Sequence, residues 1–165
     1  NFAGSHRLAE RSLELYRRIY GASHALAHVL YDEKDNDKGV HFLGDWIVDL
    51  SLRSPNYGHI ACHLALFELW VGHYRRVMEL CDQGIRPGLS KHRSTLNNCA
   101  SLLWRCQLYG GPPSSQIWDE LQNLATRVAE NPKSKFDDLN ASLALAGANN
   151  EEGMQRQVQG LISLA

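Results

Sequence analysis

The sequence is poor in the residues and patterns that several classes of protein need. Its 165 residues include only 15 Val, Ile and Thr together, and β-branched residues are the ones that sheets favour most. Lys and Arg number 17 against 18 Asp and Glu, so the formal net charge is −1. A cationic face that could neutralise nucleic-acid phosphates or anionic lipids is therefore not predicted. We expect no nucleic-acid partner and no membrane partner.

Long apolar segments and paired cysteines are also missing. No stretch approaches the roughly 18 uncharged apolar residues of a membrane-spanning helix. The first ten residues contain no apolar segment of the kind a signal peptide needs. No Cys-x-x-Cys pair is present, and apolar runs contain all four cysteines: Cys62, Cys81, Cys99 and Cys106. This placement is typical of reduced, buried thiols, so we predict a cytoplasmic protein without disulfides.

Helix-forming residues dominate what is present. Leu and Ala together number 39, and both have high helix propensity. Apolar residues recur at helical spacing, for example over 4–19, and breaks at 54–56 and 131–132 contain Pro, which cannot continue a helix. Ser115 is placed to cap a helix over 116–130. The pattern predicts an all-α fold of about eight helices in four antiparallel pairs.

Two histidine pairs recur at a fixed interval. His24 and His28 are four residues apart, as are His59 and His63, and the second pair follows the first by 35 residues. This interval is close to the period of about 34 residues of tetratricopeptide repeats, which contain two helices each. One such unit cannot bury its faces alone and stacks on its neighbours. We therefore predict a tetratricopeptide-like α-solenoid, forming a single helical-repeat domain over 1–165.

The histidine pairs are the best candidates for chemistry. Residues four apart on a helix share a face, and neighbouring repeats would bring the two pairs together. Four imidazoles can hold zinc or a similar ion, and one imidazole can act as a general base. A metalloprotease is excluded, because Ala25 and Ile60 stand where that motif has Glu. The alternative is that these side chains are simply buried and hydrogen-bonded within helix packing.

Four segments resemble the tetratricopeptide repeat protein 38 family. They occur in the family's order and span nearly the whole chain: His24-Ala-Leu-Ala-His-Val29, His59-Ile-Ala-Cys-His-Leu-Ala-Leu66, Ala100-Ser-Leu-Leu-Trp-Arg105, and Phe136-Asp-Asp-Leu-Asn-Ala141 followed by Leu143-Ala-Leu145. The resemblance implies an α-solenoid in which the first helix of each pair lines a concave face. Members of that family are usually longer, so it also implies that this chain is a partial one.

The sequence departs from the family at positions that bear on the site. The family usually has two Trp between the histidines of the second segment, where this chain has Ile60-Ala61-Cys62. Asn98 stands where the family tends to have Asp, and Asn140 where it tends to have His. If these residues belong to one polar pocket, that pocket has lost a carboxylate and an imidazole.

These observations lead to one expected function and two alternatives. We expect a binding or scaffold module whose concave groove holds a peptide, a protein or a small polar ligand. No cofactor is expected, with zinc as the alternative, and no catalytic residue is assigned. The alternatives are a small-molecule enzyme that uses the histidines for metal-assisted or acid–base catalysis, and a homo-oligomer formed through unpaired repeat faces. The expected ligand-binding residues are His24, His28, His59, His63, Asn98 and Asn140.

The four tryptophans are expected to serve packing rather than ligand stacking. Trp has the largest apolar surface of any side chain and most often contributes it to a core. We therefore expect buried anchors between repeats at Trp46, Trp70, Trp104 and Trp118.

Overall fold

The computed structural model describes residues 2–88, 93–112, 114–131 and 134–163, and these ranges contain nine α-helices and no strand. The prediction of an all-α fold is therefore confirmed for the described residues. In chain order the helices are α1 (Phe2–Leu15), α2 (Tyr20–Asp32), α3 (Asn36–Ile47), α4 (Tyr57–Trp70), α5 (Tyr74–Leu80), α6 (Arg93–Leu108), α7 (Ser115–Ala129), α8 (Lys135–Gly147) and α9 (Glu151–Ile162).

The described residues contain nine helices, one more than the expected eight, and five of them precede residue 85. Gly72 separates α4 from the short helix α5, and its φ of 83° lies in the left-handed region that favours glycine. Helix α5 continues as a π-helical turn over Cys81–Ile85 and a 3-10 turn over Arg86–Gly88.

The chain divides into two compact units, the first ending at Gly84 and the second beginning at Ile85. In the first unit, α1 packs against α2, while α4 contacts α2, α3 and α5. Helix α4 has buried side chains on nearly all sides, among them Ile60, Leu64 and Phe67. Such a helix is expected at the centre of its unit, since no face is left for water.

The close approach of α3 to α4 depends on a glycine. A Cβ atom added to Gly39 on α3 would collide with the aromatic ring of Phe67 on α4. Gly39 is buried, whereas Gly44 on the same helix has no neighbour where its Cβ would lie. The sequence of α3 therefore contains one glycine that packing requires and one that it does not.

In the second unit, α8 contacts α6, α7 and α9. Its buried residues include Ala141, Ala144 and Leu145, whose small or unbranched side chains allow close helix contacts. The prediction for the start of α7 is wrong by one residue. The carbonyl of Ser114 accepts the first helical hydrogen bonds, so Ser114 is the N-cap residue, and its side chain forms no capping bond. Ser115 is the first helical residue and is exposed.

The cysteines behave as predicted, but one tryptophan is more exposed than the others. All four cysteines lie within the described residues, none of them forms a disulfide, and all are buried. Trp46 and Trp118 are buried and Trp104 is half-buried, whereas Trp70 is 50% exposed. Trp70 is the last residue of α4, where the helix leaves the core, and it lines a surface cavity with Tyr31. Trp70 is therefore less buried than the other three tryptophans, and its expected packing role stays a prediction.

Among the described residues, no helix combines the length and the apolar character that crossing a bilayer requires.

Candidate functional site

Two helices of the first unit place four histidines against one another. His24 and His28 lie one turn apart on α2, and His59 and His63 lie one turn apart on α4. Because α2 and α4 are in contact, the two pairs meet at the interface between these helices. We call these four residues the four-histidine cluster.

The Nε2 atoms of the cluster converge. Nε2 of His24 is 3.1 Å from Nε2 of His28 and 2.9 Å from Nε2 of His59. Nε2 of His59 is in turn 3.2 Å from Nε2 of His63. The ring centroids of His28 and His63 are 4.7 Å apart, and those of His24 and His63 are 4.9 Å apart. Each ring therefore contacts at least two others.

Buried apolar side chains of the two helices hold the cluster in place. On α2, Leu26, Ala27 and Leu30 are buried, and on α4 Ile60, Ala61 and Leu64 are buried. The histidines lie beside these buried residues, at the boundary between core and solvent. His24, His59 and His63 are half-buried, while His28 is exposed. Solvent therefore reaches the cluster at His28, and His63 lies further from water.

The environment lowers the pKa of two members. Burial is the main cause that lowers the pKa of His63 to about 3, and the neighbouring imidazoles of His59, His28 and His24 add to it. Burial also lowers the pKa of His24, followed by repulsion from His59 and His28. At neutral pH His24 and His63 are therefore uncharged, and each has a ring-nitrogen lone pair that can accept a hydrogen bond or bind a metal ion.

Hydrogen bonding between the rings cannot satisfy all the short contacts. A neutral imidazole has either one hydrogen or one lone pair on Nε2, so that atom takes part in one hydrogen bond. The three Nε2 contacts run in a row through His28, His24, His59 and His63. At most two of them can be hydrogen bonds. If the two outer contacts are hydrogen bonds, then the central contact between Nε2 of His24 and Nε2 of His59, the shortest of the three, is not a hydrogen bond.

A subset of the cluster has the spacing of a metal site. The ligand nitrogens of His24, His28 and His63 all lie within 4.8 Å of one another. These three residues could hold a metal ion. The Nε2 atom of His59 lies beside them, 2.9 Å from that of His24 and 3.2 Å from that of His63.

The two asparagines expected at the site belong to the second unit. Asn98 lies on α6 and is half-buried, and Asn140 lies on α8 and is buried. The amide of Asn140 donates a hydrogen bond to the carbonyl of Phe136, one turn earlier on the same helix. The prediction named Asn98 and not Asn97, yet Asn97 is the more buried and donates to the Asp137 carboxylate at 2.7 Å.

Sequence reasoning also missed an aromatic neighbour of the cluster. The ring of Tyr20 stacks on that of His24, with centroids 5.6 Å apart and planes 4° from parallel. Burial raises the pKa of Tyr20. Tyr20 precedes His24 by four residues, the same interval that separates His24 from His28. That spacing was the available signal, because it places all three rings on one face of α2.

Comparison with known protein families finds no family model that matches this chain. Comparison with solved structures finds no match either. The resemblance to the tetratricopeptide repeat protein 38 family stays a prediction from sequence, and the geometry of the four-histidine cluster is the observation from which a function can be inferred.

Proposed function

We propose that this chain is a non-enzymatic binding module built from tetratricopeptide-like helical pairs, and that its ligand site is the four-histidine cluster. The observation that supports this function is the convergence of four imidazoles from two helices. Their Nε2 atoms approach to between 2.9 and 3.2 Å along the row of contacts. The ligand expected from sequence is a peptide, a protein or a small polar molecule.

The cluster is unfavourable for the fold when nothing is bound. Four polar rings are partly removed from water, and the unprotonated nitrogens of neighbouring rings repel one another where no hydrogen lies between them. Perturbed groups of this kind concentrate at functional sites, because binding and catalysis tolerate arrangements that stability alone would not retain. An apolar or a mixed helix interface would bury the same area at lower cost.

The acid–base alternative is the weaker one. A general base works best when its pKa is near the operating pH, whereas the pKa of His63 is lowered to about 3. The pKa of His24 is lowered as well. A binding role makes better use of two uncharged imidazoles than proton transfer at neutral pH does.

The wider setting of the module is part of the same proposal. We place it in the cytoplasm, which is consistent with four buried cysteines that form no disulfide. We also propose that its helical pairs stack as a solenoid and that unpaired repeat faces permit self-association. Asn98 and Asn140 would then serve the groove of the second unit.

Leucine substitution tests whether the cluster is a ligand site or a structural element. We expect His63→Leu to raise the melting temperature of protein stripped of ions and small molecules by about 2–4 °C, equivalent to about 1 kcal/mol. The reason is that Leu fills the same half-buried position without placing a polar ring nitrogen there. Differential scanning calorimetry measures the effect, with His41→Leu on α3 as the control, since His41 is exposed. A fall in the His63→Leu melting temperature below that of the control would show that the cluster stabilises the fold, contrary to this proposal.

A further inference from the structure

We infer that the four-histidine cluster binds one divalent transition-metal ion of the zinc class through the Nε2 atoms of His24, His28, His59 and His63. This inference rests on the proposed function and names the ligand of the same site. It departs from the expectation, drawn from sequence, that the protein has no bound metal.

The distances between the ring nitrogens fit a tetrahedral ion. With Zn–N bonds of about 2.0–2.1 Å, regular tetrahedral geometry separates neighbouring nitrogens by about 3.3 Å. The measured Nε2–Nε2 separations are 3.1 Å for His24 and His28, 2.9 Å for His24 and His59, and 3.2 Å for His59 and His63. The ligand nitrogens of His24, His28 and His63 all lie within 4.8 Å of one another, so ring rotations that shorten the longer separations would complete the coordination shell.

A cation also removes the conflict between the rings. At most two of the three Nε2 contacts can be hydrogen bonds, because each Nε2 has one hydrogen or one lone pair. An ion placed among the four rings accepts all four lone pairs at once, and every Nδ1 then keeps its hydrogen to donate elsewhere. A single bound ion thus accounts for all three short Nε2 contacts, which no arrangement of hydrogen atoms can do.

The ligand chemistry selects the class of ion. The converging donor atoms are imidazole nitrogens, which suit zinc, copper, nickel and iron. Magnesium and calcium prefer oxygen ligands and are poorly matched to such a set. Coordination by four nitrogens closes the shell of a tetrahedral ion, whereas coordination by the three most compact donors, those of His24, His28 and His63, leaves one position for water.

The burial of the four residues gives the ion a path into the site. His28 is exposed and marks the solvent side, while His63 is held deeper between α2 and α4. An ion can therefore meet His28 first and exchange its water for the inner imidazoles in turn. The bound ion would link one helix of the pair α1–α2 to one helix of the pair α3–α4, which ties two segments 35 residues apart in the chain.

Metal titration of the untagged 165-residue chain tests this inference. After treatment with a chelator and its removal, Zn²⁺ should bind at one ion per chain, and Co²⁺ should give the visible absorption of a tetrahedral nitrogen site. Mg²⁺ should not compete with Zn²⁺ for the four-histidine cluster. We expect His28→Ala and His63→Ala each to weaken Zn²⁺ binding by at least about 100-fold. His28 is exposed, so its truncation removes a ligand without opening a cavity.

His6→Ala is the matched control. His6 lies within 3.4 Å of carboxylate oxygens of Glu10 and Glu33 and is the most plausible place for adventitious binding in the first unit. Its loss should leave the stoichiometry and affinity unchanged. Circular dichroism confirms that each variant keeps its helix content.

The outcomes separate the metal from the binding site itself. If Zn²⁺ fails to bind while His63→Leu still stabilises the stripped protein, the metal is wrong and the proposed ligand site stands. If Zn²⁺ fails to bind and His63→Leu destabilises, the proposed function falls as well. Binding that His6→Ala abolishes and His28→Ala does not would overturn the inference.

Discussion

His63 is the cluster member with the most strongly altered chemistry, and its burial makes the stability of the metal-free protein depend on pH. Its pKa is lowered from an ordinary 6.5 to about 3 by burial and by the facing imidazoles of His59, His28 and His24. The unfolded chain therefore binds a proton at this side chain before the folded chain does. Protonation of His63 therefore does not reduce the free energy of unfolding above about pH 6.5. It reduces that free energy progressively as the pH falls toward 3.

We expect the free energy of unfolding of the chelator-treated protein to decrease between pH 6.5 and pH 4. Urea titrations at several pH values measure it, and His63→Leu should show a shallower decrease because the buried imidazole is gone. Parallel pH dependences for the wild-type protein and the variant would contradict the lowered pKa.

Among the helices, α3 and α4 carry the clearest test of packing. A side chain at Gly39 would meet the ring of Phe67, so the two helices would have to move apart. We expect Gly39→Ala to destabilise the protein by about 1–3 kcal/mol, as overpacking of a core does. The measurement is the midpoint of urea unfolding followed by far-ultraviolet circular dichroism.

Gly44→Ala on the same helix is the control with the opposite expected sign. No atom lies within 4 Å of the position that its Cβ would take, and Ala exceeds Gly in helix propensity by up to about 1 kcal/mol. If both alanine variants shift the midpoint in the same direction, the close approach of α3 to α4 is not as described.

The helices themselves were largely predictable, and their details were not. Leu and Ala at helical spacing and breaks at Gly72 and Asn131-Pro132 depend on local sequence alone. The exposure of Trp70 and the packing requirement at Gly39 depend on which helix lies opposite, which periodicity does not report. The N-cap residue of α7 is Ser114 rather than Ser115, because two adjacent serines offer the same capping chemistry.

The same distinction applies to the candidate site. The four-residue spacing within each histidine pair predicted that its two rings share a face. The meeting of the pairs required α2 and α4 to pack together, which the 35-residue offset suggested. The four-residue interval between Tyr20 and His24 also indicated that their rings share a face of α2, but Tyr20 was not predicted as a neighbour of the cluster. The choice between Asn97 and Asn98 could not be made from sequence, because adjacent helical residues differ only in which neighbour they face.

For the chain as a whole, the division into two units predicts where a bound ion acts. The four-histidine cluster lies entirely within residues up to Gly84. A ligand stabilises the part of the structure that must be folded to bind it. We expect Zn²⁺ to slow amide hydrogen exchange in α2 and α4 of the full chain, and to leave exchange in α7 and α9 unchanged.

Hydrogen exchange with mass spectrometry measures this at peptide resolution, with the His28→Ala variant as the control that should show no response to Zn²⁺. Equal slowing in all helices would instead indicate that the ion acts on global stability, and slowing confined to α6–α9 would place the ion in the second unit.

X-ray absorption spectroscopy of the Zn²⁺-loaded protein tests the central claim most directly, because it counts the ligands and identifies their atoms. The four-histidine cluster predicts a shell of four nitrogen ligands at about 2.0–2.1 Å with the outer-shell scattering of imidazole rings. Three imidazoles with one oxygen would indicate a site with an open position, still formed by the cluster. A shell containing sulfur at about 2.3 Å, or one with fewer than three imidazoles, would contradict the account.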